Sequence, residues 1–298
     1  MNPPNTNIGI IGFGFVGKAI AFGFGPIKQT PIQYSDPAYP ESESLESLIK
    51  NNHFLFVCVP TPMKADSREI DPTILDSVID NIYTIQECLA DQIPNWIRPI
   101  VTIRSTVIPT VLSKYEAQYP ALRLVFSMEA LTERTANLDF INTARWIFGG
   151  KREDTNELEV LHRLRFLHTP IYHCDLISAS LVKYMCNSFF AVKVSFMNEM
   201  YEVVQKSGTT TPWDQIVAMF LADGRIGNSH YQVPGPDGRK GWGGKCLVKD
   251  LNAFVHYAKQ LRCEPNTLQA AWETNTRVRV DKDWERIIGA VSKPQSNS

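Results

Sequence analysis

The sequence predicts an α/β protein: a doubly wound parallel sheet followed by an all-helical region built around one long central helix. Three observations carry this. Short apolar runs alternate with helix-periodic segments over the first 170 or so residues, the pattern of strands joined by crossover helices. The first apolar run ends in a glycine-rich turn that opens a helix. From Asp175 to Lys206 the chain carries neither Pro nor Gly and has helical periodicity throughout.

Asn7-Ile8-Gly9-Ile10-Ile11 reads as the first strand, Gly12-Phe13-Gly14-Phe15-Val16-Gly17 as the turn, and Lys18 to Phe22 as the start of a helix. Strand, glycine turn and helix make the Rossmann-type entry, which has a physical logic. Gly12 permits a tight turn, Gly14 lets a pyrophosphate approach the backbone, and Gly17 lets helix and strand pack closely. Pro31 to Ser35 is the second strand. Asp36 follows it, about 20 residues after the glycines, where a carboxylate accepts ribose hydroxyls and repels a 2′-phosphate. That favours NAD over NADP, although Asp36 also suits a turn before Pro37.

Phe54 to Val59, stopped by Pro60-Thr61-Pro62, and Ile100 to Ile103, leading to Ser105-Thr106-Val107, read as buried strands. Thr73 to Ala90 reads as the crossover helix between them. Leu122 to Phe126 and Arg145 to Gly150 are further strands, Thr155 to Leu167 a helix, and Thr169 to Tyr172 the last strand. The first domain is therefore expected to span residues 1–174, and the second, helical domain residues 175–298. In the second, the spacing predicts helices over Asp175 to Lys206, Trp213 to Phe220, Leu247 to Leu261 and Thr267 to Arg286, a Gly- and Pro-rich loop from Asp223 to Gly244, and a disordered tail from Ser292. At 1.5 Å per residue the 175–206 helix is roughly 45 Å long. Its apolar residues surround it too fully for one buried stripe, which predicts a homodimer built on it.

With 298 residues, 44% hydrophobic, and a net charge of −1, the chain shows no electrostatic footprint for nucleic acid. The N-terminus lacks a signal-peptide pattern, and no segment has the apolar length to span a bilayer, so a cytoplasmic protein is expected. The six cysteines contain no CxxC pair and no cluster with His, so neither a metal site nor a disulfide framework is indicated.

The chemistry concentrates in Gly241-Trp242-Gly243-Gly244-Lys245-Cys246-Leu247-Val248-Lys249-Asp250. A cysteine where a glycine loop enters a helix is favoured as thiolate by the helix dipole and neighbouring lysines. Asp250, four residues on, shares its helical face and is placed to position a water or a lysine. The plainer reading of Cys246 is a small buried hydrophobe.

These residues resemble the UDP-glucose/GDP-mannose dehydrogenase family, whose cysteine segment reads GFGGSCFPKD. Further likenesses follow in order: Gly12 to Gly17 with GxGYVG, Val59-Pro60-Thr61-Pro62 with VPTP, Ser105-Thr106-Val107 with STV, Glu129 and Glu133 with the acids of NPEFLREG, Lys183 and Asn187 with KYxxN, Phe196 to Glu199 with FxNE, and Arg225-Ile226-Gly227 with RIG. The resemblance implies that Gly12, Gly14, Phe15, Val16, Gly17, Asp36, Val59, Pro60, Thr61, Ser105, Thr106, Glu133 and Lys249 hold NAD. It implies that Glu129, Lys183, Asn187, Arg225 and Gly243 contact a UDP- or GDP-sugar, with Arg225 reaching across a dimer. It further implies that Lys183 and Asn187 hold the oxygen that becomes an oxyanion, that Thr106 and Glu133 position the water that acts as or relays the base with Glu129 in support, and that Cys246 forms a thiohemiacetal and then a thioester on the way from alcohol to carboxylate.

The departures are specific. Met128 stands for the family's proline, Thr132 and Arg134 for its Arg and Gly, and Lys245 and Val248 for its Ser and Pro beside the cysteine. The family's further αβ domain, which helps bind the nucleotide, is expected to be absent. That leaves three readings: a partner holds the nucleotide end, the substrate is smaller or differently presented, or normal activity is lost. Competing functions are a two-electron hydroxyacid-type dehydrogenase, which also uses a Lys-x-x-x-Asn pair, and an NAD-binding scaffold without turnover.

Overall fold

The computed structural model describes residues 6–27 and 31–292, which pack as two compact units: the described residues up to Thr61 with Pro72–Lys183, and Pro62–Asp71 with the described residues from Tyr184 onward. The division falls inside the long helix rather than at its start near Cys174, and a ten-residue segment from the first half of the chain joins the second unit.

In the first unit the chain runs β1 (Ile8–Ile11), α1 (Phe15–Phe24), β2 (Gln33–Ser35), α2 (Leu45–Asn51), β3 (Phe54–Val57), α3 (Thr73–Gln92), β4 (Ile100–Ile103), α4 (Pro109–Gln118), β5 (Arg123–Ser127), α5 (Ala136–Ile141), β6 (Trp146–Gly150), α6 (Arg152–Arg163) and β7 (Ile171–Cys174). The seven strands lie in the order β2-β1-β3-β4-β5-β6-β7. β1 pairs with β2 on one side and β3 on the other, both parallel, so the winding reverses between β1 and β3. Such a reversal opens a crevice at the carboxyl ends of these strands, where open α/β sheets take their ligands. All residues of β1, β3 and β4 are buried, as continuous apolar runs require when helices cover both faces. Ile8, Ile10, Phe54, Phe56, Ile100 and Val125 share a core with Ile20 and Phe24 of α1, Phe140 of α5, and Leu158 and Leu161 of α6.

The sheet is parallel as expected except at one pair: β6 runs antiparallel to β5, with Val125 opposite Gly150 and Ser127 opposite Phe148. The α-helix joining them, α5, has six residues. The chain between them does not cross back along the sheet, so β6 starts at the end where β5 stops. The expected 155–167 helix is α6, shifted three to four residues toward the N-terminus. It stops at Arg163, whose guanidinium donates to the carbonyls of Phe166, Leu167 and Thr169.

The long helix α7 (Leu176–Lys206) enters the second unit at Tyr184. There α8 (Trp213–Leu221), α9 (Cys246–Gln260) and α10 (Asn266–Val278) follow. Trp242, Val248, Leu251, Val255, Ala271 and Trp284 pack with Ala191 of α7 as the core of this unit. Helix α10 ends at Val278 rather than at Arg286: Arg279 turns extended, and the chain folds back through a 3-10 turn at Asp283–Glu285. Within this unit α7 leaves Met185, Phe189, Phe196 and Val203 exposed, at 60%, 60%, 45% and 57%. Their spacing of 4, 7 and 7 residues puts them on one stripe. Of the expected tail, only Ser292 lies within the described residues. No described helix is long and apolar enough to cross a membrane.

Candidate active site

In the first unit, the carboxyl ends of β1, β2, β3 and β4 carry the glycine turn, Asp36 and two stitched loops. Gly12 takes φ +89°, and a Cβ there would meet the Cys58 carbonyl carbon and oxygen at 2.9 Å, so only glycine fits. Gly14 caps α1 with nothing within 4 Å of where its Cβ would be, an opening of the kind a pyrophosphate needs. The Asp36 carboxylate accepts the Phe13 N–H at 2.6 Å and the Ala38 N–H at 2.8 Å. The Phe13 ring stacks on Tyr34 with centroids 3.9 Å apart. Asp36 thus anchors the turn as well as standing at the end of β2. After β3, the Val59 carbonyl accepts the Ser105 hydroxyl at 2.6 Å, and the Thr61 hydroxyl donates to the Thr106 carbonyl at 2.8 Å. Two sequence motifs 45 or so residues apart are thereby tied into one surface.

The same unit holds a buried ion pair. Lys183 of α7 and Glu129 are 4% and 6% exposed. The Lys183 ammonium donates to the Glu129 carboxylate at 2.6 Å and to the Glu129 carbonyl at 2.8 Å. Burial alone would raise the Glu129 pKa, but Lys183, the Leu131 N–H and Arg104 outweigh it and hold the carboxyl below its ordinary value. Arg104 is itself buried, and donates to the Ser127 hydroxyl and the Met128 carbonyl, so cations grip two consecutive carbonyls of this loop. Glu133 is exposed in the 3-10 turn that follows.

In the second unit, Cys246 is the first residue of α9 and is exposed. One turn on, Asp250 is 1% exposed. It accepts a hydrogen bond from the Asn187 amide at 2.5 Å and forms an ion pair with Lys249. Sequence reasoning gave Lys249 a cofactor role; here its ammonium is buried against Asp250. Tyr184 packs its ring on Phe254, and burial, then Asp250, push its hydroxyl well above the usual phenol range, so it stays neutral. Arg225 is exposed and forks onto Asp223, donating from Nε at 2.9 Å and Nη2 at 2.5 Å. Gly243 lies against the Arg279 and Asp283 side chains. In the first unit, Cys58, just after β3, has its thiol pushed up to about 12 by burial, which makes it a poor nucleophile.

The structure thus gathers Gly12, Gly14, Phe15, Val16, Gly17, Asp36, Val59, Pro60, Thr61, Ser105 and Thr106 at the carboxyl ends of strands in one unit, and Asn187, Cys246, Lys249 and Asp250 around α9 in the other. Sequence reasoning missed Arg104, which precedes Ser105, and the Asn275–Arg279 segment. No local pattern marks either of them.

Residues 34–170 match the model of the UDP-glucose/GDP-mannose dehydrogenase family NAD binding domain, and residues 177–277 that of the family's central domain. The UDP-glucose 6-dehydrogenase YwqF of Bacillus subtilis is 28% identical over 263 residues, covering 84% of this chain and 55% of that protein. The UDP-glucose 6-dehydrogenase of Rickettsia felis is 27% identical over 240 residues, covering 76% and 48%. The chain spans about half the length of these curated relatives. Among solved structures, a UDP-glucose dehydrogenase from Pyrobaculum islandicum superposes with a TM-score of 0.75 at 20% identity, over 93% of this chain and 70% of that one. A 3-hydroxyisobutyrate dehydrogenase of Mycobacterium tuberculosis superposes with a TM-score of 0.67 at 14% identity, over 93% and 94%. These two show the fold. Both family models fall, in order, on the two kinds of structure their motifs predicted, and the chain belongs to the UDP-glucose/GDP-mannose dehydrogenase family.

Proposed function

We propose that the chain is an NAD-dependent nucleotide-sugar 6-dehydrogenase that oxidises a sugar primary alcohol to a carboxylate through Cys246. One observation carries the reading: an exposed thiol opens α9, and one turn on a buried carboxylate is held by an amide and an ammonium. A scaffold needs neither.

The glycine turn and Asp36 would hold the NAD pyrophosphate and adenosine ribose, with Val59, Pro60, Thr61, Ser105 and Thr106 lining the same strand ends. When bound, NAD supplies the hydride acceptor for both oxidations. The chain's own residues do the rest. Asp250, directly or through a water, takes the hydroxyl proton as the alcohol carbon gives up its hydride and becomes an aldehyde. The Cys246 thiolate adds to that carbon, and Lys183 and Asn187 stabilise the oxyanion of the thiohemiacetal. Loss of a second hydride leaves a thioester. Water adds to its carbonyl carbon, the carbon–sulfur bond breaks, and the carboxylate leaves with the thiolate restored. The balance is one alcohol, one water and two NAD to one carboxylate, two NADH and three protons.

Arg225, exposed in this chain, would reach the sugar of a partner subunit, and the Met185–Val203 stripe of α7 would form the homodimer contact. Reduced cysteines suit action in the cytoplasm. A hydroxyacid-type dehydrogenase is the second reading, favoured by the near-complete coverage of the 3-hydroxyisobutyrate dehydrogenase; it would need one hydride transfer and no Cys246. The purified chain given NAD and a panel of UDP- and GDP-sugars separates these. NADH formed with a UDP- or GDP-sugar supports the proposal. NADH formed only with small hydroxyacids supports the second reading.

A further inference from the structure

The loop leading into Cys246 is gripped from behind by side chains the reaction scheme does not use. Asn275 of α10 meets Trp242 as a neighbouring strand would, its Oδ1 accepting the Trp242 N–H at 2.7 Å and its Nδ2 donating to the Trp242 carbonyl at 2.9 Å. Asn198 of α7 accepts the Gly241 N–H at 3.1 Å. Arg279, 2% exposed, pairs through Nη2 with Asp283 at 3.0 Å and through Nη1 with Asp237 at 2.7 Å, and its Nε donates to the Asp281 carbonyl at 3.0 Å. Asp283 in turn accepts the Gly244 N–H through its two oxygens at 3.4 and 3.3 Å, two residues before Cys246.

Two glycines of this loop, Gly241 and Gly243, are explained by the grip. A Cβ on Gly243 would collide with Asp283 Oδ1 and sit 2.5 Å from Arg279 Nη2. One on Gly241, which has φ +69°, would collide with Asn275 Oδ1. Side chains fill the space that a side chain on the loop would take, so every non-proline backbone N–H from Gly241 to Gly244 except that of Gly243 meets one of them. A fully buried guanidinium between two carboxylates is also costly to assemble unless its geometry is fixed.

We infer that Arg279, with Asp283 and Asn275, is a positioning device that sets the Cys246 thiol through the Gly243–Gly244 backbone. The inference rests on the reading of Cys246 as the nucleophile. A displacement of about 1 Å in a reacting group lowers a rate on the order of 100-fold, so a rigid rear support is where such a loop gains most.

The test uses the whole chain in two variants. Arg279→Lys keeps a cation but loses the planar fork, and Asp283→Asn keeps an acceptor for Gly244 but loses the charge. In each variant that retains its far-UV circular dichroism and a cooperative melt, iodoacetamide alkylation of Cys246 is followed by peptide mass spectrometry, with exposed Cys88 and Cys263 as internal controls. The device predicts a change of more than about threefold in the Cys246 rate, with both controls changing less than that. Where the wild-type chain turns over, kcat should fall about tenfold or more with KM for the nucleotide sugar changed less. A Cys246 rate within about threefold of wild type, or a change shared by all three cysteines, overturns the inference. Alkylation needs no turnover, so a chain that oxidises no sugar removes the functional reading while this result still decides the positioning one.

Discussion

Replacing Glu129 with Ala tests the buried ion pair of the first unit. Lys183 and Glu129 are both over nine-tenths buried and 2.6 Å apart, so the substitution leaves an ammonium in the interior with the backbone carbonyl of residue 129 where it had a carboxylate. Breaking a buried pair from one side is destabilising by about 3–5 kcal/mol, because the remaining charge stays desolvated. For a unit of this size about 1 kcal/mol moves Tm by roughly 2–4 °C, so the melt of Glu129→Ala at neutral pH should fall by roughly 6–20 °C. The pH dependence has a definite sign. The folded Glu129 carboxyl titrates below its ordinary value, so its stabilisation is complete above the ordinary Glu range and is lost as pH falls through the depressed value. The gap between wild type and Glu129→Ala should therefore narrow only below about pH 4. The double variant Glu129→Leu with Lys183→Met, which removes both charges, should recover most of the loss. Thermal melts by circular dichroism, without cofactor, decide it. A Tm drop under about 3 °C, or a gap that widens as pH falls, refutes the argument.

Asp36→Ala should weaken NAD binding by roughly tenfold or more while changing NADP binding far less, measured by isothermal titration; equal affinities for the two in the unmodified chain would end the case for NAD. Asp250→Asn should lower kcat by roughly 100-fold or more with NAD affinity unchanged in steady-state and binding assays, and a loss below about tenfold would remove Asp250 from base chemistry. Phe189→Glu, at the 60% exposed middle of the α7 stripe, should convert a dimer to monomer in sedimentation velocity without loss of helicity; a wild-type chain that sediments as a monomer at micromolar concentration contradicts the dimer.

The strands were legible because β1, β3 and β4 are buried on both faces, which writes them as unbroken apolar runs, and the long helix because it lacks both helix breakers over its whole length. Helices α2, α4 and α5 were not, having seven, ten and six residues, too few turns to write a clear period; Ser44 caps α2 by accepting the Ser47 N–H. Helix α10 was read too long because helical periodicity continues past Val278, while the buried Arg279 cluster turns the chain away. Within the site, glycines and a cysteine at a loop-to-helix junction announce themselves, since few residues can do what they do there. Partners that meet only in three dimensions do not. Lys183 finds Glu129 across 54 positions, Asn187 finds Asp250 across 63, and Trp242 finds Asn275 across 33, and no spacing rule in the sequence points from one to the other.

The central claim is that one chain carries an alcohol through two oxidations on Cys246. Single-turnover reaction with limiting UDP-glucose and excess NAD, followed by NADH absorbance and quenched for intact-protein and peptide mass spectrometry, tests it most directly. The account predicts two NADH for each UDP-glucose consumed, a carboxylate product, and a transient acyl adduct that maps to Cys246 and is absent in Cys246→Ala. One NADH for each substrate, with Cys246→Ala as active as the wild type, would contradict it.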